Sequence, residues 1–198
     1  MVRSDNWWSK FGRSVVTPFV ESNKKTITLP GGEEIKAISF GTSSGGYDLT
    51  LSKDRCAVLD SFDTKEIDPK NFDSSNHLKD LEYTQSVDGD YFLIPPKSYF
   101  LAVTCETITI PSDKIGIVLG KSTYVRCGLI HCMTPLEPGW SGRLVLEAYN
   151  STNSPLRIYT DEGFVQLLLL DLDQRAAVSY SDRSGKYMHQ TGVTPAIV

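Results

Sequence analysis

Apolar and polar residues alternate with a period of two along most of this chain, and helical spacing is scarce. Such alternation turns one face of each segment toward a core and the other toward water, so it predicts strands. Thr26 to Leu29 and Ile35 to Ile38 bracket Pro30-Gly31-Gly32, which reads as a hairpin. Further strands are expected at Tyr47 to Leu51, Tyr91 to Ile94, Tyr99 to Thr104, Thr107 to Ile110, Ile115 to Leu119, Arg143 to Tyr149, Leu156 to Tyr159, Phe164 to Asp171 and Ala177 to Tyr180. A short helix is expected first, where Ser4-Asp5 can cap a segment that carries Trp7, Trp8 and Phe11 and ends near Gly12. Many short strands parted by turn signals argue for a mainly β sandwich or barrel and against βαβ units.

Two stretches break the alternation. Asp60 to Val87 is polar and weakly patterned, which predicts a long surface excursion with one short helix. Residues 181–198, SDRSGKYMHQTGVTPAIV, are mostly small and polar and read as a mobile C-terminal arm that orders on binding. At 198 residues, 40% of them hydrophobic, the chain can bury one sizeable core, so residues 1–198 form a single domain in this reading.

The formal net charge of −4 supplies no general attraction to nucleic acid or to an anionic membrane, so phosphate binding would need a local cluster of Lys and Arg. No apolar run approaches the roughly 20 residues that span a bilayer, and MVRSDNWWSKFGRS lacks the apolar stretch of a secretory signal. The cytoplasm is the expected location. Cys56, Cys105, Cys127 and Cys132 lie in apolar or β-like segments without a disulfide framework, which predicts reduced thiols in the core.

Candidate chemistry concentrates in GKSTYVRCGLIHCMTPLEPGWSGRLVLEAYN, residues 120–150. Gly120-Lys121-Ser122-Thr123 matches the end of a P-loop, but the first glycine of that motif would fall on Ile115, inside an apolar strand. A Gly-Lys-Ser turn can still hold phosphate. Cys127, His131 and Cys132 invite zinc, yet the His-x-Glu and Pro-Cys-x-x-Cys signature of zinc deaminases is absent, and neighbours on a strand face opposite ways. Alternation groups Glu147 with Val145 and Tyr149 and leaves Leu144, Leu146 and Ala148 on the other face; either face can be the inner one. Glu147 is thus a solvated strand carboxylate or a general base beside Arg126. Glu137 sits in a turn with two prolines, and Arg126 is either a surface cation or a clamp for carboxylate or phosphate.

Taken together, these segments resemble the dCTP deaminase branch of the dUTPase-like superfamily. The resemblance spans nearly the whole chain. Besides residues 120–150 it rests on Gly41-Thr42-Ser43-Ser44-Gly45-Gly46-Tyr47-Asp48, Asp68-Pro69-Lys70-Asn71-Phe72, Ile94-Pro95-Pro96, Glu162-Gly163 with Gln166, and Gly185-Lys186-Tyr187 with Gln190 and Gly192. His131-Cys132-Met133 departs from a stretch that is usually aliphatic around one amide residue, and Met188-His189 stands where Gln-Gly is common.

The resemblance implies a distorted β-barrel or jelly-roll of the dUTPase-like type, assembled as a homotrimer, with each nucleotide held between subunits under the C-terminal arm. It implies hydrolysis of dCTP to dUTP and ammonia without a metal in the chemical step, Mg²⁺ accompanying the triphosphate, and dTTP as an inhibitor. Ser122, Arg126 and Glu147 match the catalytic residues, with Glu147 as the general base. Lys121, Ser122 and Thr123 match the phosphate-binding turn. Thr134 and Pro135 match nucleotide-binding positions, Glu137 matches the acidic position near the deoxyribose, and Tyr180, Lys186 and Gln190 match arm residues that contact the nucleotide. The alternatives are a bifunctional deaminase that also cleaves dUTP to dUMP and pyrophosphate, a dUTPase alone, and a non-catalytic nucleotide-sensing trimer. Glu137 in place of an aspartate weakens the dUTPase readings, and the intact trio argues against a sensor.

Overall fold

The computed structural model describes residues 1–29, 31–59 and 66–197, and over them the alternating segments pair into three sheets, every pairing antiparallel. Helix α1 (Asp5–Phe11) starts after Ser4 and buries Trp8 completely. Then come β1 (Val16–Thr17), β2 (Lys24–Thr28), β3 (Glu34–Ser43), β4 (Gly46–Thr50) and β5 (Cys56–Leu59). They are followed by α2 (Ser74–His77), β6 (Leu78–Leu81), β7 (Tyr83–Thr84), β8 (Tyr91–Ile94), β9 (Tyr99–Thr109) and β10 (Lys114–Gly120). The last elements are α3 (Ser122–Arg126), β11 (Leu129–His131), β12 (Ser141–Asn150), β13 (Leu156–Tyr159) and β14 (Gly163–Asp171).

One sheet runs β11-β12-β9-β5-β6, with β1 also on β9. A second runs β10-β14-β4-β3-β2, and a small third runs β13-β8-β7. A single bridge, Leu51 to Thr104, ties the end of β4 to β9 of the other large sheet, and another joins Gly116 of β10 to Leu136 in the connection between β11 and β12, so the mainly β fold is a distorted barrel whose seams are not closed by continuous ladders. Between them lies a core with fully buried Trp8, Tyr47, Phe92, Phe100 and Phe164. Withdrawing each such ring from water contributes about 1.5–3 kcal/mol, which sets strand register, since a slip by one residue would expose every inward side chain. No helix among the described residues is long and apolar enough to cross a membrane.

Several expectations need correction. Ala177 to Tyr180 forms no strand: these residues run along the turn at residues 137–140, where the Tyr180 N–H donates to the Pro138 carbonyl. Tyr99 to Thr104 and Thr107 to Ile110 are one continuous strand, because Cys105 and Glu106 extend β9 rather than turn it. The polar excursion holds the expected short helix, α2, but also β6, which pairs with β5, and β7 on β8; residues 60–65 and Pro30 of the first hairpin lie outside the described residues. Cys56 is a core residue and Cys105 is partly covered, but Cys127 and Cys132 are exposed, because the turn after α3 and the chain after β11 both run along the surface.

Candidate active site

The ambiguity over Glu147 resolves through sheet register. On β12, Leu146 and Ala148 pack inward with no exposure and Leu144 is nearly as buried. Glu147 therefore faces the other way, opposite Leu101 of β9, with Tyr99 on the same face. That face is not open to bulk water. Glu147 is half-buried, and loss of hydration pushes its carboxyl above the ordinary carboxylate value. The backbone around it is fixed: its N–H points to Met133 Sδ at 3.5 Å, and its carbonyl accepts the Cys132 N–H at 2.8 Å. Among the described residues no hydrogen-bond donor engages the carboxylate itself.

A cavity of about 570 Å³ opens in front of this carboxylate. Its walls gather Glu147, Thr134, Pro135, Glu137, Tyr180 and Gln190 from among the residues singled out in the sequence, together with Tyr99, Leu101, Trp140, Leu144 and Tyr187. One wall is the C-terminal arm, which packs along the mouth. The Tyr187 carbonyl accepts the Trp140 indole N–H at 2.9 Å, and the Tyr187 N–H donates to the Tyr180 hydroxyl at 3.2 Å. Arg183 reaches back to the Glu137 carboxylate, so Glu137 is charge-paired rather than simply solvated.

Lys121, Ser122, Thr123, Arg126 and Lys186 stand outside that cavity. Tyr124 explains why. Its buried hydroxyl accepts the Tyr159 N–H at 2.8 Å and its ring packs on Phe164, so α3 is pinned through Tyr124 while Ser122, Thr123 and Arg126 point outward and are exposed. Ser122 and Arg126, four residues apart, share one face of α3. Arg126 makes no ion pair among the described residues and is not beside Glu147 in the same chain, so the expectation that it directly steadies that carboxylate is not met within one subunit. Lys121 is held on the buried carboxylate of Asp48. Its ammonium is thus already matched by one anion at the start of the Ser122-Thr123 turn.

His131 turns inward, opposite in sense to exposed Cys132, as strand alternation requires. Its ring meets Phe164 edge-on at 4.9 Å and lies under Gly120, where an added Cβ would stand 2.5 Å from the ring carbon Cδ2. Both ring nitrogens are buried without a partner, and burial pushes its pKa down to about 4, so the imidazole is neutral. Sequence reading assigned no site role to Tyr99, Trp140 or Arg183, and it placed Tyr187 in the arm without a contact. Trp140 lies in the turn just before β12, and its spacing from Glu147 carries no signal for a contact made through the arm.

Among the described residues no three His, Cys, Asp or Glu side chains gather into a metal cage. An ion that arrives with a triphosphate needs few protein ligands, since phosphate oxygens and water fill most of its coordination. Asp48 fits that role: Oδ1 is buried without a partner on the wall of a polar cavity, while Oδ2 holds Lys121.

Comparison with known proteins identifies the family. The family described as dCTP deaminase-like matches residues 20–172. A dCTP deaminase of Ectopseudomonas mendocina is 42% identical over 195 residues, covering 98% of this chain and 97% of that relative. One of Pseudomonas aeruginosa is 41% identical over 199 residues, with the same coverage. A crystal structure of 2'-deoxycytidine 5'-triphosphate deaminase from Agrobacterium tumefaciens superposes on 88% of this chain with a TM-score of 0.62 at 12% identity. That likeness concerns fold, and it covers 49% of the other chain.

Proposed function

This chain belongs to the dCTP deaminase-like family, and we propose that it is an enzyme that hydrolyses dCTP to dUTP and ammonia, with Glu147 as general base. The observation that carries the assignment of the base is the Glu147 carboxylate itself: half-buried, unpartnered among the described residues, and facing a cavity roofed by the arm. A carboxylate whose pKa is raised toward neutrality is a stronger base than a solvated one.

In this reading Glu147 takes a proton from water as the water oxygen bonds to C4 of cytosine. The proton passes to N3, and a second one, from the hydroxyl now on C4, passes through Glu147 to the exocyclic amine. The C4–N bond breaks, ammonia leaves, and the C4 carbonyl of uracil remains. Thr134, Pro135, Tyr180 and Gln190 line the cavity, and in this reading they contact the nucleotide.

Completing the site takes a second copy of the chain. Ser122 and Arg126 face outward beside exposed Leu119, Val125 and Ile130, an apolar patch on neighbouring elements that suits a subunit contact. A homotrimer built on that patch brings Ser122 to the attacking water and Arg126 to Glu147 of the adjacent subunit, where the guanidinium opposes the effect of burial and keeps the base ionised. Ser122, Thr123, Lys121 and Lys186 then serve the triphosphate. Mg²⁺, when bound with the phosphates, offsets their charge, with Asp48 as the acidic group on the protein side. Free thiols at the surface agree with a cytoplasmic location.

Cleavage of dUTP is disfavoured in this reading, because Glu137 stands where a dUTPase carries the aspartate that activates water. Incubation with dCTP and Mg²⁺ followed by separation of products decides between the readings. Deamination yields dUTP and ammonia in equal amounts; dUMP and pyrophosphate would mark a bifunctional enzyme, and unchanged dCTP would remove the enzyme assignment.

A further inference from the structure

The arm meets the core along the first residues of β12, the strand that carries Glu147. The His189 N–H donates to the Ser141 carbonyl and the Arg143 N–H donates to the Gln190 carbonyl, both at 2.7 Å, so arm and strand pair locally as in an antiparallel ladder. The Arg143 side chain then ties three segments together. Its Nε donates to the buried Thr104 carbonyl of β9 at 2.7 Å, and its Nη1 donates to Asp54 Oδ2 at 2.7 Å and to the Thr191 carbonyl at 3.1 Å. Arg143 is mostly covered, whereas Asp54 is open to solvent, so the carboxylate holds the guanidinium fork in the orientation that reaches the arm. Gly142 adds a steric condition: a Cβ there would fall 2.8 Å from the Gln190 nitrogen, so the close approach of the arm requires glycine.

From this geometry we infer that Arg143 is a positioning residue for the reaction. It clasps the arm at Thr191 and so fixes Gln190 over the cavity that holds Glu147. Arg143 touches no reacting atom; it acts through Gln190 by raising the fraction of chains whose arm is closed before the nucleotide arrives. This rests on the reading of the cavity as the dCTP site. When a binding-competent state is less populated, apparent affinity falls by the same factor while turnover at saturation is retained.

The test uses the full chain with Arg143→Gln, Arg143→Lys and Gly142→Ala. Arg183 and Lys186 are trypsin sites within the arm itself. Loss of the charged hydrogen bonds should speed cleavage at these two sites and raise KM for dCTP about tenfold, with kcat within about threefold of the parent. Arg143→Lys keeps the charge but not the fork, and should recover part of both effects. Gly142→Ala leaves the guanidinium in place and should release the arm by collision, giving the same pattern. Parent-like arm cleavage and KM in Arg143→Gln and Gly142→Ala would overturn the clasp. A general loss of stability would instead open cleavage sites throughout the chain and lower kcat with KM, and would equally count against it. If the parent protein does not turn over dCTP, the catalytic reading fails, while arm proteolysis still decides the clasp.

Discussion

The Tyr124 hydroxyl accepts the Tyr159 main-chain N–H at 2.8 Å inside the core, and this anchor turns Ser122 and Arg126 of the same short helix away from Glu147. On the proposed reading, a site that needs all three groups is shared between subunits. Chains carrying Glu147→Gln and chains carrying Arg126→Ala should each be inactive alone. Assembled together at equal amounts, they should regain roughly a quarter of parent activity, because random pairing leaves one contact in four with both groups intact. Mixtures as inactive as their components would place the whole site within one chain.

In the proposed trimer Arg126 also controls the charge of the base. Burial alone raises the Glu147 pKa, and a neighbouring guanidinium lowers it again. Since the ionised carboxylate is the active form, rate is lost as pH falls through that pKa. In Arg126→Gln burial acts unopposed, so the acid limb of the residual kcat profile should move to higher pH. An unmoved limb would separate Arg126 from the base.

His131 is a neutral imidazole with both nitrogens buried and unpartnered. Its pKa near 4 lies below the ordinary value of 6.5. As pH falls from 6.5 toward 4, the unfolded chain takes up a proton that the folded chain does not, so the parent loses stability over that window. His131→Leu removes the loss. It should be more stable than the parent, with an advantage that grows by about 1 kcal/mol between pH 7 and pH 5 once partial exposure is allowed for. Denaturant melts at the two pH values test this, and parallel behaviour of both proteins would contradict it.

His189 adopts φ of 57° while its N–H is bonded to Ser141, so the arm pairs with β12 in a left-handed conformation that suits glycine. An L side chain there costs about 1 kcal/mol more than glycine. His189→Gly should hold the arm closed more often and lower KM for dCTP about threefold. A raised KM would show that the imidazole itself contributes to closure.

The alternation that reveals β12 also separates Glu147 from Leu146 and Ala148, but it does not say which face is covered. That came from Leu101 and Tyr99 on β9, more than forty residues earlier in the chain, and from the arm forty residues later. The Gly-Lys-Ser-Thr turn and the Ser122 to Arg126 spacing were legible, whereas the outward turn of α3 depends on the contact of Tyr124 with Tyr159, which no local pattern encodes. Ala177 to Tyr180 has strand composition, yet it lies along the turn at residues 137–140 and finds no ladder partner. Arg143 reads as the first residue of a strand; its role depends on Asp54 and Thr191, which are remote in sequence.

In the proposed reaction the Glu147 carboxylate activates the water that displaces ammonia from dCTP. The measurement is ammonia release from dCTP by the parent and by Glu147→Gln, a change that keeps shape and hydrogen-bonding capacity but removes the base. The parent should release one ammonia per dUTP formed, and the variant should be slower by about a thousandfold with little change in KM. A Glu147→Gln protein that deaminates dCTP at the parent rate would show that another group is the base.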